Sequence, residues 1–137
     1  SAIWLTVDRE YPGTNIPAMA GADCFNTTQT YPQKERWTML DESGEYEDFY
    51  NRYCHIGATL GSETSFELLN TDYVNVTLSP EKFKELKIKY VVSRNSIDEK
   101  IVSGTVFGEN QSSLPNGGIE FKKCYSGAEL SIYECIY

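Results

Sequence analysis

A chain of 137 residues, 40% hydrophobic and 23% charged, reads as a single domain over 1–137 and excludes a disordered chain. Its net charge of −8 disfavours binding to nucleic acid or an anionic membrane surface, since both need a basic face. No apolar run approaches the ~18 residues that span a bilayer.

Residues 2–8 read as a strand with Ile3, Leu5 and Val7 on one face. Pro12-Gly13 and Pro17 turn the chain into a loop over 11–21, and a short strand is expected from Asp23 to Thr28. Residues 34–40 read as a further strand, with Trp37 and Met39 on one side. The period then changes. Tyr46, Phe49, Tyr50 and Tyr53 stand at i, i+3, i+4 and i+7, which predicts a short helix within 43–54. Glu45, Glu47 and Asp48 come early and Arg52 late, as the helix dipole prefers, and Ser43 is placed to cap it.

Segments 63–69 and 72–78 predict a pair of strands. In the second, Val74, Val76 and Leu78 make a buried face, while Asn75 and Thr77 make an outer one. Ser79-Pro80-Glu81 marks a helix start with proline at the first helical position. Leu86, Ile88, Tyr90 and Val92 alternate with Lys87 and Lys89 as in a strand, and 99–107 reads as its return strand. A loop over 108–118 leads to a terminal hairpin of 119–125 and 129–136. Eight or nine short strands without a linker predict a mainly β fold. The first expectation is an antiparallel barrel with one or two short helices; a β-sandwich and a compact α+β fold are the alternatives.

Three sequons, Asn26-Thr27-Thr28, Asn75-Val76-Thr77 and Asn110-Gln111-Ser112, make Asn26, Asn75 and Asn110 the expected glycosylation sites. Cys24, Cys54, Cys124 and Cys135 form an even set, as in an exported, disulfide-bonded protein. Four cysteines allow three connectivities. Two crossing long-range bridges, Cys54 with Cys124 and Cys24 with Cys135, are preferred, because a hairpin about Gly127 sets Cys124 opposite Leu130 rather than Cys135. The expected location is extracellular. The chain opens at Ser1, and an export signal is taken as already removed.

Catalytic chemistry is not expected. His55 is the only histidine and adjoins a cysteine, so a structural role is expected for it. Neither a G-x-S-x-G elbow nor a phosphate-cradling glycine loop occurs. No metal site is expected: there is no C-x-x-C, and Asp41, Glu42, Glu45, Glu47 and Asp48 lack the alternation of a calcium loop and read as a solvated helix start. No cofactor is expected either. Aromatic residues make up 13% of the chain, and aromatic faces beside carboxylates bind organic cations. Trp4, Asp8, Trp37, Asp41, Glu67, Tyr73 and Tyr90 are the candidate pocket residues inside a barrel.

Trp4-Leu5-Thr6-Val7-Asp8-Arg9-Glu10-Tyr11 followed by Asp23-Cys24-Phe25 resembles the start of the secreted lipocalins of tick saliva. Tyr133-Glu134-Cys135-Ile136-Tyr137 is similar to their terminal strand, and Phe66 to Leu78 to their middle strands. The resemblance implies an eight-stranded barrel that sequesters a small amphipathic or cationic host ligand, or blocks a host immune or complement protein. The alternative is a disulfide-stapled pathogen effector that binds a host protein and has no internal cavity. A cell-surface immunoglobulin-type sandwich ranks third: Cys24 and Trp37 are suitably spaced, but Cys24 and Cys135 lie too far apart for a ~100-residue domain. The molecule is expected to be a monomer.

Overall fold

The computed structural model describes residues 2–7, 23–26, 28–29, 34–50, 54–94, 97–108, 114–128 and 130–137. In chain order these form β1 (Ile3–Thr6), β2 (Asp23–Cys24), β3 (Thr28–Gln29), α1 (Lys34–Leu40), α2 (Glu47–Tyr50), β4 (Cys54–Leu60), β5 (Ser65–Asn70) and β6 (Tyr73–Leu78). Then come α3 (Pro80–Glu85), β7 (Ile88–Ser93), α4 (Asp98–Ser103), a 3-10 turn (Pro115–Gly118), β8 (Glu120–Ser126) and β9 (Ser131–Ile136). No described helix is long and apolar enough to cross a membrane.

The fold is mainly β, with two sheets and four short helices among the described residues. One sheet runs β2-β1-β7-β9-β8 and the other β3-β4-β6-β5. Both are mixed. β1 lies parallel to β2 and β7, and β4 parallel to β6, while β9 is antiparallel to β7 and β8, and β5 to β6. Neither sheet closes on itself among the described residues, so the antiparallel barrel expected from strand spacing is corrected to two open sheets. The parallel pairings explain the difference. They need crossover connections, which a meander of hairpins lacks.

One apolar core joins the layers. It takes Leu5, Val91, Tyr133 and Phe121 from the first sheet and Ile56, Ala58, Val74, Val76 and Leu78 from the second. Trp37, Leu40, Tyr50 and Phe83 enter it from the helices. Sequence and structure agree at several elements. β1, β5, β6, β7 and the β8–β9 hairpin fall within a few residues of their expected places. α3 starts as its sequence dictates: Ser79 Oγ accepts the Lys82 N–H (3.3 Å), and proline stands at the helix start.

Two strands expected from the sequence are helices instead. Lys34–Leu40 contains good helix formers, and its buried residues Trp37 and Leu40 are three apart, so the helical face decides. Asp98–Ser103 carries Asp98 and Glu99 in its first turn and ends on Gly104 at φ 78°, the left-handed cap glycine readily adopts. Of the predicted helix within 43–54, Glu47–Tyr50 is helical, Arg52 and Tyr53 lie outside the described residues, and β4 begins at Cys54. Ser43 does not cap that helix start; Asp41 Oδ2 accepts the Tyr46 N–H instead (2.9 Å).

Two sequon asparagines and two cysteines are placed differently from the sequence expectation. Asn26 is fully buried, with both ends of its amide bonded to the Thr6 backbone. Asn75 is only 3% exposed: its Nδ2 donates to Thr59 Oγ1 (3.1 Å), and Gly57 beside it leaves room for the Tyr73 hydroxyl. The face opposite Val74 and Val76 is therefore packed rather than solvated, and neither amide is open to carry a glycan in this fold. Asn110 lies outside the described residues.

Cys124 and Cys135 are free thiols. Cys135 stands opposite Phe121, while Cys124 falls in a register shift and its Sγ reaches the Ile132 carbonyl (3.5 Å). The two are thus not cross-strand neighbours, as the hairpin argument anticipated, although Cys124 meets Ile132 rather than Leu130. The preferred bridges do not form. Cys24 on β2 and Cys135 on β9 are separated by β1 and β7, about 14 Å at ~4.8 Å per strand spacing, against the ~7 Å limit for Cα atoms of a disulfide. Burial pushes the Cys135 thiol up to about 12, with the Cys124 and Glu134 charges adding to it. A maleimide at pH 8 is therefore expected to modify exposed Cys124 first and Cys135 only on unfolding, read by mass spectrometry of tryptic peptides. Native protein with Cys124 resistant to modification until reduced contradicts this arrangement.

Candidate functional site

The candidate pocket residues do not converge. Trp4 and Tyr90 are register partners in the first sheet, with rings stacked at 4.6 Å. Glu67 and Tyr73 lie on the second sheet, where Glu67 pairs with Asn75. Asp8 lies outside the described residues. Trp37 and Asp41 are the two that come together. Four residues apart, they share one face of α1 and its C-terminal end. Among the described residues the sheets stay open and form no barrel lumen to unite the seven.

Around Trp37 and Asp41 the chain builds an aromatic stack with an acidic rim. Tyr50 from α2 stacks on Trp37 at 4.3 Å with the rings 6° from parallel. Phe66 of β5 approaches Trp37 at 6.1 Å and Tyr46 at 5.0 Å, and Phe25 approaches Trp37 at 6.2 Å. Gly44, at φ 72°, permits the tight turn that brings α2 back onto α1. Its N–H donates to the Asp41 carbonyl (3.0 Å), and its own carbonyl accepts the Glu47 N–H (3.2 Å). Two long cations hold α1 in place. Arg36 donates to Asp23 Oδ1 (2.8 Å) and to the Cys24 carbonyl (3.1 Å). Lys82 donates to the Met39 carbonyl (2.7 Å) and to Glu42 Oε1 and Glu85 Oε2 (both 3.3 Å).

The result is an open groove of about 310 Å³, lined by Trp37, Tyr50, Asp41, Glu42, Glu47 and Lys34 among others. Asp41 is the buried carboxylate of this site, 7% exposed. Its Oδ2 accepts the Tyr46 N–H and the Tyr50 hydroxyl, both at 2.9 Å. Its Oδ1 receives no hydrogen bond from any described residue. Burial, then the hydrogen bond and charge of Asp41, push the Tyr50 hydroxyl up to about 12, so it remains a donor at neutral pH. Asp41 also follows the C-terminal end of α1, where the helix dipole favours a cation rather than a carboxylate. Asp41, Glu42 and Glu47 outnumber Lys34 on its wall, so the groove carries net negative charge beside the buried Trp37–Tyr50 pair.

A larger groove of about 530 Å³ runs past Ser62, Thr64, Ser79, Pro80, Lys84 and Leu114. Its half-buried hydroxyls are already satisfied: Thr64 Oγ1 accepts the Ser79 N–H (3.1 Å), and Ser79 Oγ accepts the Lys82 N–H. It has no counterpart to the open Oδ1 of Asp41.

Sequence reasoning missed Tyr50 and Glu47 as site residues. The signal was present in the helical spacing of Tyr46, Phe49 and Tyr50, but linking it to Asp41 requires the Gly44 turn and the burial of Trp37, neither of which a periodicity reveals.

Residues 1–111 match the family model described as "Domain of unknown function (DUF7654)", and the chain belongs to that family. The matched stretch contains the whole acidic groove; β8 and β9, which complete the five-stranded sheet, lie beyond it. No curated protein and no solved structure matches the chain.

Proposed function

We propose that this member of the DUF7654 family is a binding module that grips a cationic group of its partner in the acidic groove beside the Trp37–Tyr50 stack, without transforming it. The observation that carries this reading is the carboxylate of Asp41, nine-tenths buried with one oxygen lacking a donor among the described residues. A buried carboxylate oxygen left without a partner is costly, and a bound cation supplies the missing donor. The reading is the cavity-free version of a binding protein, since the groove is open and the space between the sheets is filled by the core. Extracellular placement draws less support than the sequons suggested, with Asn26 and Asn75 buried.

Asp41→Asn tests the reading. The amide oxygen still accepts from Tyr46 and Tyr50, so the turn survives while the charge is lost. In a Trp4→Phe background, Trp37 is the one remaining tryptophan. Titration with octalysine at low salt is expected to change its emission, and Asp41→Asn to weaken that binding about tenfold, roughly 1.4 kcal/mol. Equal affinity in the two proteins sinks the proposal.

A further inference from the structure

We propose that the partner of this groove is an extended basic segment of another protein, which adds as a strand along the free edge of β5 and sets a lysine or arginine side chain between Asp41 and the Trp37–Tyr50 stack. The inference rests on the groove reading above and names its source of cation.

Three observations carry it. First, β5 ends the sheet order β3-β4-β6-β5 and has no second neighbouring strand among the described residues. Such an edge is a template for pairing, and natural edges are usually guarded by lysine or proline. Ser65–Asn70 holds neither; its guards are the single charge of Glu67 and a register shift between Leu68 and Asn70, and Leu68 and Leu69 are exposed. Second, β5 is joined to the groove: Phe66 packs against Trp37, Tyr46 and Tyr50 at 5.0 to 6.1 Å between ring centres. A strand on this edge thus runs beside the groove, within reach of a flexible lysine stem.

Third, the charge on these segments is one-sided. Residues 41–50 carry five carboxylates and residues 61–81 carry four, with no lysine or arginine in either stretch; the nearby cations are Lys34 on the groove wall and Lys82, which is paired with Glu42 and Glu85. Glu67 on β5 itself repels an acidic strand and attracts a basic one, so the edge selects its partner by charge. An open groove encloses too little of a small amine to hold it tightly, because small-ligand sites bury most of their ligand's surface. Main-chain pairing along an edge supplies the missing affinity, and alternate side chains supply the selectivity.

The test varies the ligand, so folding of the protein is not at issue. The probes are the peptide acetyl-(Val-Lys)4-amide, the same peptide N-methylated at alternate residues, and N-acetyl-lysine methylamide. The proposal expects the plain peptide to bind at least tenfold more tightly than either of the others. It also expects the peptide to slow amide hydrogen exchange within 65–70. Equal binding of the plain and N-methylated peptides overturns strand addition and leaves the groove reading standing. So does binding of the single lysine as tight as that of the peptide. Failure of all three probes to bind overturns both.

Discussion

Replacing Asn26 with alanine is expected to destabilise the fold by about 2–5 kcal/mol, because two buried backbone groups lose their partners together. Asn26 has no exposed surface. Its Oδ1 accepts the Thr6 N–H at 2.8 Å, and its Nδ2 donates to the Thr6 carbonyl at 2.5 Å. β2 has only two residues, so its backbone ladder to β1 ends early. The Asn26 side chain extends that ladder by one rung, standing in for a strand. Thr6 is itself 1% exposed, so water does not replace what is lost. Asn26→Asp separates the two bonds. At neutral pH the carboxylate still accepts from Thr6 N–H but faces the Thr6 carbonyl with like charge. In acid the protonated carboxyl donates again. The Asn26→Asp variant is therefore expected to lose less stability, relative to wild type, at pH 4 than at pH 7, read from urea midpoints at the two pH values. A stably folded protein carrying a glycan on Asn26 is incompatible with this account.

Phe83→Ala is expected to cost about 3–5 kcal/mol, the range for emptying a buried aromatic site. Phe83 is fully buried and projects from α3 into a cluster with Phe107 at 5.6 Å (edge-on, 88°), Phe121 at 6.1 Å and Tyr137 at 6.2 Å. It joins three stretches distant in sequence: α3, the turn after α4, and the C-terminal hairpin. Truncation leaves a cavity whose walls belong to different elements, each held by its own hydrogen bonds, so collapse is limited. Phe83→Leu retains most of the volume and is expected to cost about half as much. Thermal melts check the pair, since 1 kcal/mol shifts the midpoint of a domain this size by roughly 3–5 °C. A loss below about 1 kcal/mol for Phe83→Ala shows that the cluster does not bind the hairpin to α3.

These two residues differ in how visible they are in the sequence. Phe83 follows Ser79-Pro80-Glu81, whose helix-start chemistry is local, so its helix is legible; its burial comes from Phe107 and Phe121, which are not. Asn26 reads as a glycosylation site because a sequon is a three-residue pattern. Burial overrides that pattern, and burial depends on Thr6 twenty positions away. The same division runs through the groove. Trp37 was named within a strand and Asp41 at a solvated helix start, both as candidate lining of a barrel lumen. A helix, a glycine turn and Tyr50 make them a site.

By itself the sequence determined what short-range physics controls. The alternation of Val74, Val76 and Leu78 makes β6, Ser79 and Pro80 start α3, the run through Ile88 and Val92 makes β7, and the turn near Gly127 makes the last hairpin. The acidic balance also follows from composition alone. Only the tertiary structure decided which strands run parallel, that 34–40 and 98–103 coil rather than extend, that Asn26 and Asn75 face inward, and that β5 is an edge strand among the described residues. Those outcomes depend on contacts between residues far apart in the chain, where the burial gained by the whole core outweighs the weak preference of any short segment.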